Sequence, residues 1–300
     1  MASSKRDRTF NTATLLTVAA LLCAIPVLVG QSQAPIRQLG SPTEIGARER
    51  NTPAKPTPRW PDGRVNLGAP AGEFGLWLPY SGINERLVMP DDLDAEAMKQ
   101  FLGRPRVHEV PFQPWSKGLY EYRRDNQFEP HSRCKPSAGP RQLLTPYGVE
   151  FLNLPQSKEI FVMDLGGPHT FRTIYLDGRG HPKDLEPTYY GHSVGHWEGD
   201  TLVVDSRGYN EGFWIDRSGL PHTEQLHLTE RFTRTDSKTI DYKVTIDDPG
   251  AYTRAWSSGF VLGWDGQQEL FEFLCQDNNT ATDLLVGSQG FVDRSKVIVP

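Results

Sequence analysis

Six of the chain's eight histidines stand between His169 and Arg231, interleaved with Asp, Glu, Arg and Tyr. The run passes through Arg172, Tyr175, Asp177, Arg179 and His181, then Tyr190, His192, Ser193, His196 and Trp197, then His222, Glu224, His227 and Glu230. A solvated surface would favour Lys and Glu, and a plain core Leu and Val. Titratable groups at this density suit proton transfer or metal ligation. The stretch therefore predicts a site without naming its reaction.

Each motif in the run has a chemical and a structural reading. Gly191-His192-Ser193-Val194-Gly195 matches the G-x-S-x-G nucleophile elbow, in which a strand-to-helix turn exposes the serine. Here the continuation His196-Trp197-Glu198-Gly199-Asp200-Thr201-Leu202-Val203-Val204-Asp205 reads as a turn into a strand, so a tight glycine bend carrying His192 or Ser193 inward is the expectation. On a strand, His222 and Glu224 share a face with Leu226, Leu228, Glu230 and Phe232, and His227 lies opposite. A carboxylate on that apolar face must be paired or raised in pKa, so Glu230 is either a general acid or base or the partner of Arg172 or Arg179. His181, His192, His222 and Glu224 have the donor types for zinc, but neither H-E-x-x-H nor H-x-H occurs and no metal is expected. Trp197 and Trp214 build either core or the wall of an apolar pocket.

These groups need short, closely spaced elements to hold them. Strands are predicted over 149–154, 159–165, 171–176, 201–205, 225–235, 239–247, 252–262 and 269–276, with a further one opening at Gly75-Leu76-Trp77. Asp177-Gly178, Glu198-Gly199-Asp200, Asp236-Ser237 and Asp265-Gly266 are turn formers, so neighbours should be antiparallel. Ile240, Tyr242, Val244 and Ile246 alternate with polar residues, giving one buried and one wet face. The expected fold is all-β, an antiparallel meander closing into a lipocalin-like barrel of about 8–10 strands, with a two-sheet sandwich as the alternative. One short helix is predicted from Pro90 to Leu102, stopped by Gly103, within a Pro-rich insertion at 90–146.

Bulk composition narrows the class. A net charge of -5 leaves no basic footprint for nucleic acid. Neither G-x-G-x-x-G nor a P-loop is present, so no nucleotide cofactor is expected. Leu15 to Val29 is an almost unbroken apolar run behind Lys5, Arg6 and Arg8. It is short for a membrane span of ~20 residues and reads as a signal peptide over 1–34. A Pro-, Gly- and charge-rich arm follows over 35–72, and a single barrel domain over 73–300. Export leaves Cys134 and Cys275, which most simply form one disulfide.

The stretches Pro61-Asp62-Gly63-Arg64-Val65-Asn66-Leu67, Tyr175 to Pro182, Gly191 to Asp205, Pro221 to Arg231 and Thr245 to Tyr252 resemble a large family of exported bacterial proteins known mostly as hypothetical. The resemblance implies a periplasmic or secreted protein and brings no reaction with it. Gly75-Leu76-Trp77 adds a looser likeness to lipocalin-type barrels. The residues together predict a cofactor-independent lyase, hydratase or isomerase acting on an apolar, ring-bearing small molecule. His222, Glu230, Glu224, His192 and His181 would exchange protons; Arg172, Tyr175, Arg179, Tyr190, Ser193, Trp197 and Trp214 would bind substrate. The alternatives are a non-catalytic carrier of an apolar ligand and a metal-dependent hydrolase.

Overall fold

A computed structural model describes residues 53–79, 86–94, 103–164 and 170–275. The predicted signal segment and the end of the chain lie outside the described residues, as does most of the helix predicted before Gly103. Nine strands form one closed barrel: β1 (Leu76–Pro79), β2 (Val149–Leu154), β3 (Glu159–Asp164), β4 (Phe171–Tyr175), β5 (His192–Glu198), β6 (Thr201–Arg207), β7 (His227–Asp236), β8 (Thr239–Asp247) and β9 (Trp256–Asp265). Every strand pairs with its neighbour in sequence, and β9 closes on β1 with Trp77 opposite Trp264.

All pairs are antiparallel except β4–β5, where Ile174 lies parallel to Ser193. A parallel pair cannot be joined by a hairpin and needs a long crossover. The connection 176–191 supplies it and carries His181 and Tyr190. The strand predicted over 269–276 does not form; its described residues, to Cys275, are irregular. Residues 192–198 form a strand where a turn was expected.

Alternation decides what fills the barrel. Leu202, Val204, Leu228, Phe232, Ile240, Tyr242 and Val244 point inward and are buried. Phe151, Phe232, Tyr242 and Phe260 form a continuous chain of ring contacts at 4.7–5.5 Å. Each fully buried large apolar side chain contributes roughly 1.5–3 kcal/mol, so the interior is the main source of stability.

Two clasps shut the ends. At one, Arg234 lies over the rings of Trp77 and Trp264 and donates to the carbonyls of Asn66 and Gly68 at 2.6 and 2.8 Å, pinning the arm to the barrel. At the other, helix α1 (Pro114–Asn126) packs Ser116, Tyr120 and Arg123 inward against the segments 209–226 and 248–253. Pro114 sits in the first turn of α1, where its missing N–H costs no hydrogen bond. A single-turn helix, α2 (Pro140–Leu143), follows, and Cys134 is disulfide-bonded to Cys275.

Candidate functional site

The polar residues predicted from sequence separate into an interior network and an exterior one. Inside the barrel, Glu230 is fully buried on β7 and faces Arg172 on β4. The Arg172 guanidinium forms an ion pair with Glu230 and donates to Ser193 Oγ at 2.9 Å and Ser206 Oγ at 2.8 Å. Tyr242 OH donates to Glu230 Oε1 at 2.9 Å. Burial works against the Arg172 charge, and the nearby Glu230 carboxylate more than offsets it, so its pKa is raised. Every strong group here has a partner and none meets solvent. Of its two possible roles, Glu230 therefore takes the structural ion pair with Arg172.

The same network settles the geometry of the G-x-S-x-G stretch. Ser193 is 1% exposed on β5, and its Oγ accepts hydrogen bonds from Arg172 and Ser206. No imidazole among the described residues pairs with it, and a strand, not a helix, follows. The predicted inward glycine bend is present: Gly191 has φ +60°, and a Cβ there would lie 2.4 Å from the Arg207 carbonyl oxygen. Ser193 is carried inward and His192 outward.

On the outer wall, Tyr175, His192, Asp205 and His227 stand on four successive strands and face away from the core. The crossover brings His181 onto the same patch. Asp205 Oδ1 lies 2.7 Å from His181 Nε2, and Oδ2 lies 2.6 Å from His227 Nε2. His181 Nδ1 lies 2.9 Å from His192 Nδ1. The carboxylate can only accept, so both facing Nε2 atoms carry protons. A neutral His181 then has its lone pair on Nδ1, and His192 must donate to it from Nδ1–H. His192 Nε2 and His227 Nδ1 are left with lone pairs and no acceptor or donor among the described residues.

The electrostatics agree with that tautomer chain. Partial burial opposes the Asp205 charge, yet hydrogen bonds from His227 and His181 hold its pKa below the ordinary carboxylate value. Burial, with His181 and Arg179 nearby, lowers the His192 pKa and favours the neutral ring. His192 stacks on Tyr175 at 5.1 Å, and the Arg179 guanidinium lies 4.1 Å from the same ring's centre. Side-chain exposures of 15% for His181, 34% for Asp205 and 27% for His227 leave the chain reachable from solvent.

The remaining predicted residues lie elsewhere. His222 is buried at the α1 end, with its ring nitrogens 3.0 Å from the Phe213 carbonyl oxygen and 3.3 Å from that of Thr223. Burial lowers its pKa to about 4. Glu224 is exposed on the turn before β7, not on the apolar face; the strand starts at His227, so alternation does not extend back to it. Tyr190 donates to Asp164 Oδ2 at 3.0 Å. Trp197 packs against the core, and Trp214 is buried beside Arg123. Of the four zinc-type donors only His181 and His192 come together, and among the described residues no group of three or more His, Cys, Asp or Glu has metal-holding geometry.

Asp205 and His227 complete the outer chain but stood outside the predicted set. The alternation Leu202, Val204, Ser206 already turned Asp205 outward; the parallel crossover that brings His181 to it has no signature in the sequence. Comparison of the chain with protein-family models, curated proteins and solved structures gave no match.

Proposed function

We propose that the protein is an exported acid–base enzyme of the lyase, hydratase or isomerase kind, with its proton-transfer site on the barrel wall at His192, His181, Asp205 and His227. One observation carries this reading: a single carboxylate bridges two imidazoles while a third extends the chain, leaving a lone pair at each end. A proton taken from substrate by His192 Nε2 displaces the Nδ1–H proton to His181 Nδ1. The resulting His181 imidazolium is held by Asp205. His227 Nδ1 is the second base, or in its protonated form the acid. Positioned acid–base groups of this kind accelerate reactions by ~10²–10⁴-fold.

Tyr175 is stacked with His192 and lies against the Arg179 guanidinium, which is itself ion-paired with Asp177, so its ring edge is what it can present to a ring-bearing substrate. The packed interior weighs against a carrier holding its ligand inside the barrel, although the G-x-W opening of β1 keeps the lipocalin-type likeness as part of the proposal. Export fits the Cys134–Cys275 disulfide, since such bonds persist in oxidising compartments.

Mass spectrometry of a pool of ring-bearing metabolites incubated with the exported chain tests the reading. A product formed by the wild type and reduced at least ~100-fold in Asp205→Asn supports it. Turnover that survives Asp205→Asn and His192→Ala, in variants with unchanged melting, would place the chemistry elsewhere.

A further inference from the structure

The described residues contain five buried arginines: Arg104, Arg123, Arg141, Arg172 and Arg234. Four have acceptors. Arg104 donates to the carbonyls of Gly259 and Arg86, Arg141 to Glu129, Arg172 to Glu230 and two serines, and Arg234 to four carbonyls. Arg123 on α1 is the exception. It is 6% exposed, its Nε and Nη1 are fully buried, and its guanidinium has no hydrogen bond or ion pair among the described residues.

A guanidinium cannot escape this cost by losing its proton near neutral pH. Burial lowers its pKa to about 10, with Tyr252 and Glu211 acting weakly in the other direction. It stays a cation in a site that supplies no counter-charge in contact. The ring of Trp214 lies 5.1 Å from the guanidinium carbon. Trp214 is itself 3% exposed, and its Nε1–H is a second buried donor without an acceptor among the described residues. The nearby His222 has its ring nitrogens beside backbone carbonyls and supplies no negative charge.

The neighbourhood is built to stay closed around these donors. Gly219 has φ +104°, and a Cβ there would come within 2.8 Å of Arg123 Cβ, so only glycine lets the 209–226 segment lie directly on α1. Nη2 is the guanidinium nitrogen outside the fully buried, unpartnered set. A buried cation beside a buried neutral N–H donor, both without acceptors among the described residues, forms half of an ion pair.

We propose that Arg123 and Trp214 form a binding site for a small oxyanion, a carboxylate or phosphate group, at the α1 end of the barrel. The guanidinium supplies charge and paired N–H donors, a geometry that matches both groups, and the indole N–H supplies a further donor. The site is separate from the outer histidine chain and does not depend on the proposed reaction.

Two-dimensional ¹H–¹⁵N spectra of the exported chain, titrated with sodium phosphate or sodium acetate against sodium chloride at constant ionic strength, test it. The Arg123 Nε–H and Trp214 Nε1–H signals should move saturably with one or both oxyanions and not with chloride; the more effective salt distinguishes phosphate from carboxylate. Thermal melts should rise with that anion in the wild type, because a ligand bound only to the folded state stabilises it. The rise should vanish in Arg123→Met. Trp214→Phe keeps the guanidinium and should bind about tenfold more weakly, a readout that survives if Arg123→Met does not fold. Signals unmoved by both oxyanions, or an equal melting response in wild type and Arg123→Met, would overturn the proposal.

Discussion

Glu230 and Asp205 are both carboxylates that face basic groups, and solvent access separates their roles. Glu230 is sealed in with Arg172, so removing one partner leaves the other charged and buried. Glu230→Leu should lower unfolding free energy by about 3–5 kcal/mol in urea titration, and adding Arg172→Met should restore most of it. Recovery would identify the pair as structural; no recovery would mean that Ser193, Ser206 and Tyr242 also depend on it. The sequence made Glu230's inward position legible, because Leu228, Glu230 and Phe232 alternate cleanly. It narrowed the partner to Arg172 or Arg179 without choosing between them, since Arg172 is three strands away.

His222 has a pH signature of its own. Its folded pKa of about 4 lies below the ordinary 6.5, so as pH falls the unfolded chain takes up the proton first. Its contribution is complete above pH 6.5 and is lost towards pH 4, roughly 3 kcal/mol in all. His131, lowered to about 4 by burial and the nearby Arg141, acts in the same window and direction. Chemical denaturation across this range should show stability falling with pH, and His222→Gln should flatten the slope. An unchanged slope would mean that His222 is not held neutral.

At the scale of elements, the hairpins were legible and the exceptions to them were not. Asp236-Ser237 marked the β7–β8 hairpin, Gly199-Asp200 marked the turn before β6, and the β2 and β8 boundaries matched the apolar alternation. Helix α1 was hidden because Pro-rich surroundings read as irregular chain, whereas Pro114 in the first turn initiates a helix. The β5 strand was obscured by Gly191 and Gly195, which look like a bend. Gly191 bends only at its own position and then aims His192 outward. Gly191→Ala forces a left-handed alanine against the Arg207 carbonyl and should cost at least about 1–2 kcal/mol, with disturbed His192 resonances. Normal stability and spectra would show that the bend does not set His192.

The disulfide ties two segments separated by 141 residues along the chain. Cys134→Ser with Cys275→Ser should lower stability by roughly 3–5 kcal/mol in denaturant titration if chain entropy dominates. A change below 1 kcal/mol would mean that the last described segment is held by packing alone. The pairing itself was legible from cysteine number together with the expectation of export.

For the whole molecule, a small barrel filled by its own side chains leaves its wall, not its lumen, for the proposed chemistry. Closure was readable from the sequence, but a site assembled on the outside was not. Tyr175, His192, Asp205 and His227 come together only because β4 to β7 are neighbours and one pair runs parallel. The central claim is the carboxylate-centred proton chain, and ¹⁵N imidazole spectra of the exported protein near neutral pH test it most directly, with no substrate needed. The structure predicts Nε2–H tautomers at His181 and His227 and an Nδ1–H tautomer at His192, all three disrupted in Asp205→Asn. Rapidly averaging tautomers at all three rings, or spectra unchanged by Asp205→Asn, would contradict it.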